Sequence, residues 1–105
     1  MWWAILELPA GRRPVVLVSR DEAYLVRQKV TVAEVSTKLR AIRSEVALGH
    51  RDGMPKACAI NADNLVTIPK VQLESKIVSL SAAKLRELDA ALRFSFGLAD
   101  LDAPG

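Results

Sequence analysis

The chain has 105 residues, of which 50% are hydrophobic and 26% are charged, a balance typical of one globular domain. Its single cysteine excludes an internal disulfide, and one cysteine with one histidine disfavours a zinc site, so a cytoplasmic location and no metal or other cofactor are expected. No apolar run approaches the roughly 18 residues of a membrane span, and the start lacks the basic region of a signal peptide.

The net charge of +3 is unevenly distributed. Residues 1–56 contain 10 basic and 6 acidic residues, whereas residues 57–105 contain 5 basic and 6 acidic residues. A basic face favours a partner that carries phosphate, such as a nucleic acid. A merely solvated surface explains an excess of this size equally well, so composition leaves both interpretations open.

Three β-strands are predicted in the first third of the chain. Residues 2–8 are apolar and end at a Pro-Ala-Gly turn, and residues 13–19 contain four consecutive branched aliphatic side chains, so a tight hairpin is expected. Residues 21–28 are mixed and can hold one helical turn. Residues 29–36 are rich in β-branched side chains, with a bulge expected at Ala33-Glu34, where the alternation breaks.

The rest of the chain predicts short strands and one helix. Residues 37–43 form an exposed basic loop and residues 49–55 a turn, and further strands are predicted at 44–48, 57–61, 65–68 and 76–80, with a helical turn at 69–73. Ser81 is a good N-cap and Gly97 a good C-terminal residue for a helix. Its apolar face has spacings of three and four residues, at Leu85, Leu88, Leu92 and Phe96.

This pattern predicts an α+β, mainly β fold. About six short strands favour a small barrel with a helix covering its edge, in a single domain over residues 1–98 followed by a polar tail at 99–105. Trp2 and Trp3 point to opposite faces of one strand, so one is expected in the core, while the other can stack on a base or cover a dimer contact.

Few residues carry the usual signatures of catalysis. The chain has no glycine-rich phosphate loop and no G-x-S-x-G sequence. His50 lies in a turn, where a solvated role is the more common one, and Cys58 is expected to be a small core residue. Two polar clusters remain, Arg12-Arg13 and residues 36–40 (Ser-Thr-Lys-Leu-Arg). Arginine and hydroxyl groups donate to phosphate, so together they indicate a phosphate or nucleic-acid surface at low specificity.

Several segments carry a recognisable pattern in a fixed order. Residues 2–4 read Trp-Trp-Ala, residues 11–19 read Gly-Arg-Arg-Pro-Val-Val-Leu-Val-Ser, and residues 30–37 read Val-Thr-Val-Ala-Glu-Val-Ser-Thr. Ser-Glu-Val at 44–46 and the segments 53–64, 80–85 and 92–98 continue the order. Over residues 2–98 the chain resembles the MazF/PemK family of toxin ribonucleases, with Glu34 where that family usually has proline.

The resemblance implies an SH3-like barrel of the CcdB/MazF type with a C-terminal helix, acting as a homodimer. Such toxins cut single-stranded RNA at short sequences without a metal, and a cognate MazE-like antitoxin occupies the groove that binds the RNA. By position, the expected catalytic residues are Arg13 and Ser36. The expected RNA-binding residues are Arg12, Ser19, Thr37, Lys38, Arg40 and Asn64.

The chemistry of RNA is consistent with these roles. RNA supplies its own nucleophile, the 2′-OH, so an enzyme needs chiefly to align it and stabilise charge on phosphorus. The expected products carry a 2′,3′-cyclic phosphate and a 5′-OH. The general base is not identified, and arginine titrates too high to be an efficient acid at neutral pH.

Two alternatives stay open at this point. One is a toxin of the same fold that poisons DNA gyrase, and the other is an inactive relative that binds an antitoxin. Gyrase-poisoning toxins usually end in a Trp-Gly-Ile-like tail, whereas this chain ends Asp-Ala-Pro-Gly, which favours the ribonuclease. The very short loop between the first two strands keeps the inactive relative open.

Overall fold

The computed structural model describes residues 1–6, 11–18 and 26–98. They form one sheet with a C-terminal helix: β1 (Trp2–Ile5), β2 (Arg12–Leu17), β3 (Lys29–Ser36), β4 (Glu45–Leu48), β5 (Cys58–Pro69), β6 (Leu73–Lys76) and α1 (Ala82–Ser95). The strand order is β4-β5-β3-β2-β1-β6, and every neighbouring pair is antiparallel. The mainly β fold with a C-terminal helix is confirmed, as a barrel-like sheet whose edge strands are β4 and β6.

The predicted hairpin at the start of the chain is confirmed. In β1 and β2, Trp2 lies opposite Val15 and Ile5 lies opposite Arg12. The Leu6 amide donates to the Gly11 carbonyl at 2.8 Å, and Gly11 adopts the left-handed φ of 63° that glycine tolerates at a turn. The connecting residues 7–10 lie outside the described residues, as do Ser19 and most of the mixed segment at 21–28.

The predicted irregularity at Ala33-Glu34 is also confirmed, but the extra residues lie on the partner strand. Ala33 pairs with Leu65 and Glu34 pairs with Asn61, so residues 62–64 of β5 have no opposite residue on β3. The prediction of two strands separated at these residues was wrong, because β5 continues through them as a bulge. Asp and Asn are disfavoured in regular strands, which explains why the pattern breaks there.

The last strand was predicted too late in the chain. It was expected at residues 76–80, whereas β6 ends at Lys76 because its partner β1 begins at Trp2, opposite Lys76. After β6 the chain passes beside Met1. The Met1 carbonyl accepts a hydrogen bond from the Ile77 amide, and the Met1 ammonium donates one to the Val78 carbonyl at 2.7 Å. This segment packs apolar side chains against the main core instead of extending the ladder.

The sheet buries apolar side chains on two faces. Successive residues of a strand point to opposite faces, so Val15 and Val16 enter different clusters. The main cluster lies between the sheet and α1 and includes Val16, Val35, Val46, Ile60 and Leu88. The second includes Ala4, Val15, Val30, Val32 and Ile68, with Trp2 packed against it. Trp2 packs against the second cluster, and Trp3 points to the other face of β1, so the two tryptophans lie on opposite faces, as predicted.

The helix has the predicted ends but a narrower buried face. The Ser81 hydroxyl accepts from the Lys84 amide at 3.2 Å, and Gly97 ends the helix with a φ of 69°. Leu88 is buried, whereas Leu85 and Phe96 are 52% and 62% exposed, so only part of the predicted apolar face is buried. The helix packs mainly on β4 and β5.

Two further observations concern the chain as a whole. Within residues 1–6, 11–18 and 26–98, no helix is long and apolar enough to cross a membrane. The predicted tail at residues 99–105 lies outside the described residues, so the predicted domain boundary at residue 98 stays a prediction.

Candidate active site

Arg13 and Ser36 lie at the matching ends of neighbouring strands. Val15 of β2 pairs with Glu34 of β3. Arg13 comes two residues before Val15 on β2, and Ser36 comes two residues after Glu34 on β3. Because the strands are antiparallel, both residues lie at the same end of the strand pair. Two grooves meet there and share Arg13, Val35 and Ser36. The two residues predicted to be catalytic therefore stand at the junction of both grooves.

The first, groove A, has a volume of about 400 Å³. It is lined by Trp3, Arg12, Arg13, Pro14, Val35, Ser36, Thr37, Met54, Pro55, Lys56 and Cys58. Three of these side chains are cationic, and no carboxylate is among them. Its apolar lining includes Trp3, Pro14 and Met54. A groove that combines cations with apolar and aromatic side chains is suited to a nucleotide, because cations pair with phosphate and apolar surface contacts the base.

Arg12 is held in place at the rim of groove A. Its guanidinium pairs with the Glu74 carboxylate at 2.8 Å, and its Cζ lies 4.1 Å from the ring centroid of Trp3. The ion pair neutralises part of its charge, and both partners are about half exposed. Arg12 is therefore a weaker anion donor than its sequence position suggests, and its side chain also covers the face of Trp3.

The second, groove B, has a volume of about 320 Å³ and lies on the other side of Arg13 and Ser36. It is lined by Arg13, Glu34, Val35, Ser36, Arg40, Asn61 and Asn64. The bulge at residues 62–64 brings Asn64 back towards β3, where its amide donates to the Glu34 carboxylate. Groove B thus combines two cationic side chains with one carboxylate, whereas groove A is cationic alone.

The basic loop between β3 and β4 is shaped by local hydrogen bonds. The Ser36 hydroxyl accepts from the Lys38 amide at 3.1 Å, a hydroxyl-backbone turn that ends the strand. The Arg40 amide donates to Glu45 Oε1 at 2.9 Å, and Ala41 takes a left-handed φ of 54°. These contacts bring Thr37 to groove A and the Arg40 side chain to groove B.

Behind this loop, Asp63 ties the bulge to its surroundings. The hydroxyls of Ser44 and Ser95 both donate to its carboxylate, the second at 2.6 Å. These hydrogen bonds, first that of Ser44 and then that of Ser95, lower the pKa of Asp63, and the nearby charge of Arg40 adds to the effect. Asp63 therefore links β4, β5 and the end of α1 at the point where the bulge carries Asn64.

Metal and thiol chemistry find little support among the described side chains. Within residues 1–6, 11–18 and 26–98, no three His, Cys, Asp or Glu residues gather as metal ligands. His50 is exposed in a short 3-10 turn. Cys58 is a core residue, as predicted, and burial together with the charge of Asp52 raises the pKa of its thiol. It is therefore a poor nucleophile at neutral pH.

Most of the predicted site residues gather around the two grooves. Arg12, Arg13, Ser36 and Thr37 line groove A, and Arg40 and Asn64 join Arg13 and Ser36 in groove B. Lys38 is exposed on the same loop but lines neither groove, and Ser19 lies outside the described residues. Their roles stay predictions.

Three groove residues with charged or amide side chains were not anticipated as site residues: Glu34, Lys56 and Asn61. Lys56 and Asn61 belong to segments far from Arg13 in sequence, and only the pairing of β5 with β3 brings them close. Glu34 carried a signal, since it lies two residues before Ser36 on the same strand and therefore on the same face.

Comparison with known proteins gives consistent matches. The family described as PemK-like, MazF-like toxin of type II toxin–antitoxin system matches residues 2–96. A probable endoribonuclease MazF2 of Mycobacterium tuberculosis is 33% identical over 98 residues, covering 92% of this chain and 94% of the relative. The solved structure of M. tuberculosis toxin MazF-mt6 superposes with a TM-score of 0.86 at 28% identity, covering 94% of this chain and 97% of the other.

A second solved structure shows a similar protein with a partner. It is described as an endoribonuclease in complex with its cognate antitoxin, from a mycobacterial species. Its TM-score is 0.81 at 25% identity, and the match covers 98% of this chain and 95% of the other. The similarity thus extends over nearly the full length of each chain, including the strands and the loop that form both grooves.

Proposed function

Because this chain belongs to the PemK/MazF family of toxins of type II toxin–antitoxin systems, we propose that it is a sequence-specific endoribonuclease that cleaves single-stranded RNA. The observation that carries the proposal is the meeting of Arg13 and Ser36 at the junction of two grooves. This arrangement places a forked cation and a hydroxyl at one point along a path for an extended strand. The alternative of a gyrase poison is not favoured, because the named relatives are endoribonucleases.

The reaction follows from what these side chains can do to a phosphodiester. The 2′ oxygen attacks the adjacent phosphorus, and the extra negative charge develops on the phosphoryl oxygens. The Arg13 guanidinium offers two parallel donors to those oxygens. The Ser36 hydroxyl accepts from the Lys38 amide, so its own proton remains available to one of the two non-bridging phosphoryl oxygens. The products carry a 2′,3′-cyclic phosphate and a 5′-OH, and these steps require no metal.

The two grooves also suggest how the strand is held. Nucleotides on one side of the scissile phosphate lie over Trp3 and the cations of groove A, and those on the other side lie between Arg40 and Asn64 of groove B. Thr37 and Lys38 extend the polar surface along the loop. Sequence preference then depends on base contacts in groove B, where amides and a carboxylate offer donors and acceptors.

The proposal includes two partners. We place the active form as a homodimer in the cytoplasm, and a cognate antitoxin as a chain that competes with RNA for the grooves. The complex of a similar endoribonuclease with its antitoxin supports the second partner. Sedimentation of the purified protein as a monomer at micromolar concentration would contradict the dimer.

The first prediction tests the nuclease activity itself. The purified protein, incubated with a long single-stranded RNA in EDTA, is expected to give discrete cuts. Arg13→Ala is expected to lower the cleavage rate by about 100-fold or more, because it removes donors that act on the developing charge. Arg86→Ala, on an exposed part of α1, is the matched control and should cut at the wild-type rate. Equal cutting by Arg13→Ala would contradict its assignment, and no cutting by any form would contradict the function.

A further inference from the structure

Glu34 brings a carboxylate to the junction of Arg13 and Ser36. Among the described residues, it is the sole carboxylate that lines either groove. It is half-buried on β3, two residues before Ser36, so the two side chains project to the same side of the strand about 7 Å apart along the backbone. A half-buried carboxylate placed beside the site needs an explanation, because it repels the RNA backbone.

On this basis we propose that Glu34 is the general base that takes the proton from the attacking 2′-OH of RNA. The proposal rests on the endoribonuclease activity proposed above, and adds the group that this activity still lacks. It also gives a role to the residue at which this chain departs from the usual proline of the family.

The hydrogen bonds of Glu34 leave one oxygen available for this role. The Asn64 amide donates to Oε2, and within the described part of the chain Oε1 has no hydrogen-bond partner. Asn64 reaches this position because the bulge at residues 62–64 carries it back over β3. The amide thus restrains the orientation of the carboxylate that lines groove B. A base held in one orientation is suited to proton transfer, which depends on distance and angle.

The charged surroundings keep this carboxylate compatible with a polyanion. Arg13 from β2 and Arg40 from the loop line the same groove, so two cations face one anion. Asn61 and Asn64 from β5 are uncharged. The cations offset the repulsion between the carboxylate and the phosphate, and Arg13 then brings the phosphate within reach of Glu34.

The other candidates in the region are chemically unsuitable. Arginine stays protonated at neutral pH, and Asn64 does not titrate. Cys58 is buried, and its thiol has a raised pKa. His50 lines neither groove. Among the described groove residues, Glu34 is the sole carboxylate and therefore the candidate for this role.

In the proposed cleavage step, the Glu34 carboxylate takes the proton of the 2′-OH, and the 2′ oxygen forms a bond to phosphorus. The bond between phosphorus and the 5′ oxygen breaks, and its electron pair stays on the 5′ oxygen, which takes a proton from solvent. Glu34 then returns its proton to solvent. The net reaction converts one phosphodiester into a 2′,3′-cyclic phosphate and a 5′-OH, with no proton gained or lost by the enzyme.

The test measures single-turnover cleavage of an oligonucleotide that spans a site cut by the wild-type protein. Glu34→Gln is the main variant, because the amide keeps the size of the side chain and can still accept from Asn64. We expect its rate to fall by about 100-fold or more, the range for loss of a general base. Its affinity for the same oligonucleotide with 2′-deoxyribose should change by less than about threefold. Glu87→Gln on the exposed face of α1 is the matched control and should cut normally.

Chemical rescue separates a base from a positioning residue. Glu34→Ala leaves space in groove B, and added formate is expected to raise the cleavage rate of this variant at least about tenfold, because formate can take the proton. Formate should not accelerate Arg13→Ala. Full activity of Glu34→Gln, or failure of formate to accelerate a folded Glu34→Ala, would overturn the role of Glu34 while the wild-type nuclease stands. Absence of cutting by the wild-type protein would instead overturn the proposed function.

Discussion

At the scale of single residues, neighbouring side chains of the same type differ in what they can do. Arg12 and Arg13 are adjacent in sequence, but Arg12 pairs with Glu74 and stacks on Trp3, whereas Arg13 lines both grooves. Both side chains are exposed on β2, so the sequence alone does not distinguish their roles. The difference arises because successive residues of β2 face opposite sides of the sheet. We therefore propose Arg13, and not Arg12, as the arginine that acts on the phosphate.

Ser36 gives the sharpest prediction at this scale. Ser36→Ala is expected to slow cleavage by about 100-fold, because it removes a donor to the charged phosphoryl oxygens. Its melting temperature should stay within a few degrees of the wild-type value, since the hydrogen bond that the Ser36 hydroxyl makes within the described residues is to the exposed Lys38 amide. Ser36→Thr is the matched control, which keeps the hydroxyl and suits a strand. Unfolding of Ser36→Ala under assay conditions would show that Ser36 is structural.

At the scale of elements, the bulge in β5 organises the site. Its three residues have separate tasks: Ala62 is buried, Asp63 binds Ser44 and Ser95, and Asn64 binds Glu34. A regular strand would alternate these side chains and could not supply both contacts. The bulge therefore couples the end of α1, through Asp63, to the carboxylate in groove B.

This coupling predicts a dependence of stability on pH. The folded-state pKa of Asp63 is lowered, so its contribution to the free energy of unfolding is complete above an aspartate's ordinary pKa of about 3.9 and is lost as pH falls through the lower folded value. Asp63→Asn should therefore lower the melting temperature by a few degrees at pH 7 and much less at pH 3. The measurement is thermal unfolding, followed by circular dichroism, across this range.

Asp89→Asn serves as the control for this prediction. Asp89 also accepts a hydrogen bond, from Arg93 at 3.0 Å, but its side chain is 66% exposed on the outer face of α1. Exposed pairs of this kind contribute little, so its melting temperature should follow the wild-type value at every pH. Equal behaviour of the two variants would show that the Asp63 contacts do not stabilise the fold.

The same elements show what sequence could predict and what it could not. The bounds of β3, the first hairpin and both ends of α1 follow from local signals, namely β-branched runs, Ser81 and Gly97. The path of β5 does not, because Asp63 and Asn64 suggest a turn, and only pairing with β3 on one side and β4 on the other keeps the strand continuous. Long-range pairing overrides local preference there.

At the scale of the whole molecule, the site is assembled from distant segments. Residues 12–13, 34–40 and 56–64 meet because β2, β3 and β5 are neighbours in the sheet. The family resemblance named candidate residues in the first two segments, and most of them line the grooves, although their roles stay predictions. It did not anticipate Glu34 or Lys56 as groove residues, because their proximity depends on which way the strands face. The small positive net charge thus conceals a local concentration of cations.

We propose that the 2′-OH of the RNA is the nucleophile in a reaction directed by Arg13 and Ser36. This role can be measured with an oligonucleotide that has a mapped cut and a single 2′-deoxyribose on the 5′ side of the scissile phosphate. We expect this substitution to abolish cleavage, while the all-ribose strand yields a 2′,3′-cyclic phosphate and a 5′-OH by mass spectrometry. Cleavage of the substituted strand, or a product with a 5′-phosphate, would contradict this proposal.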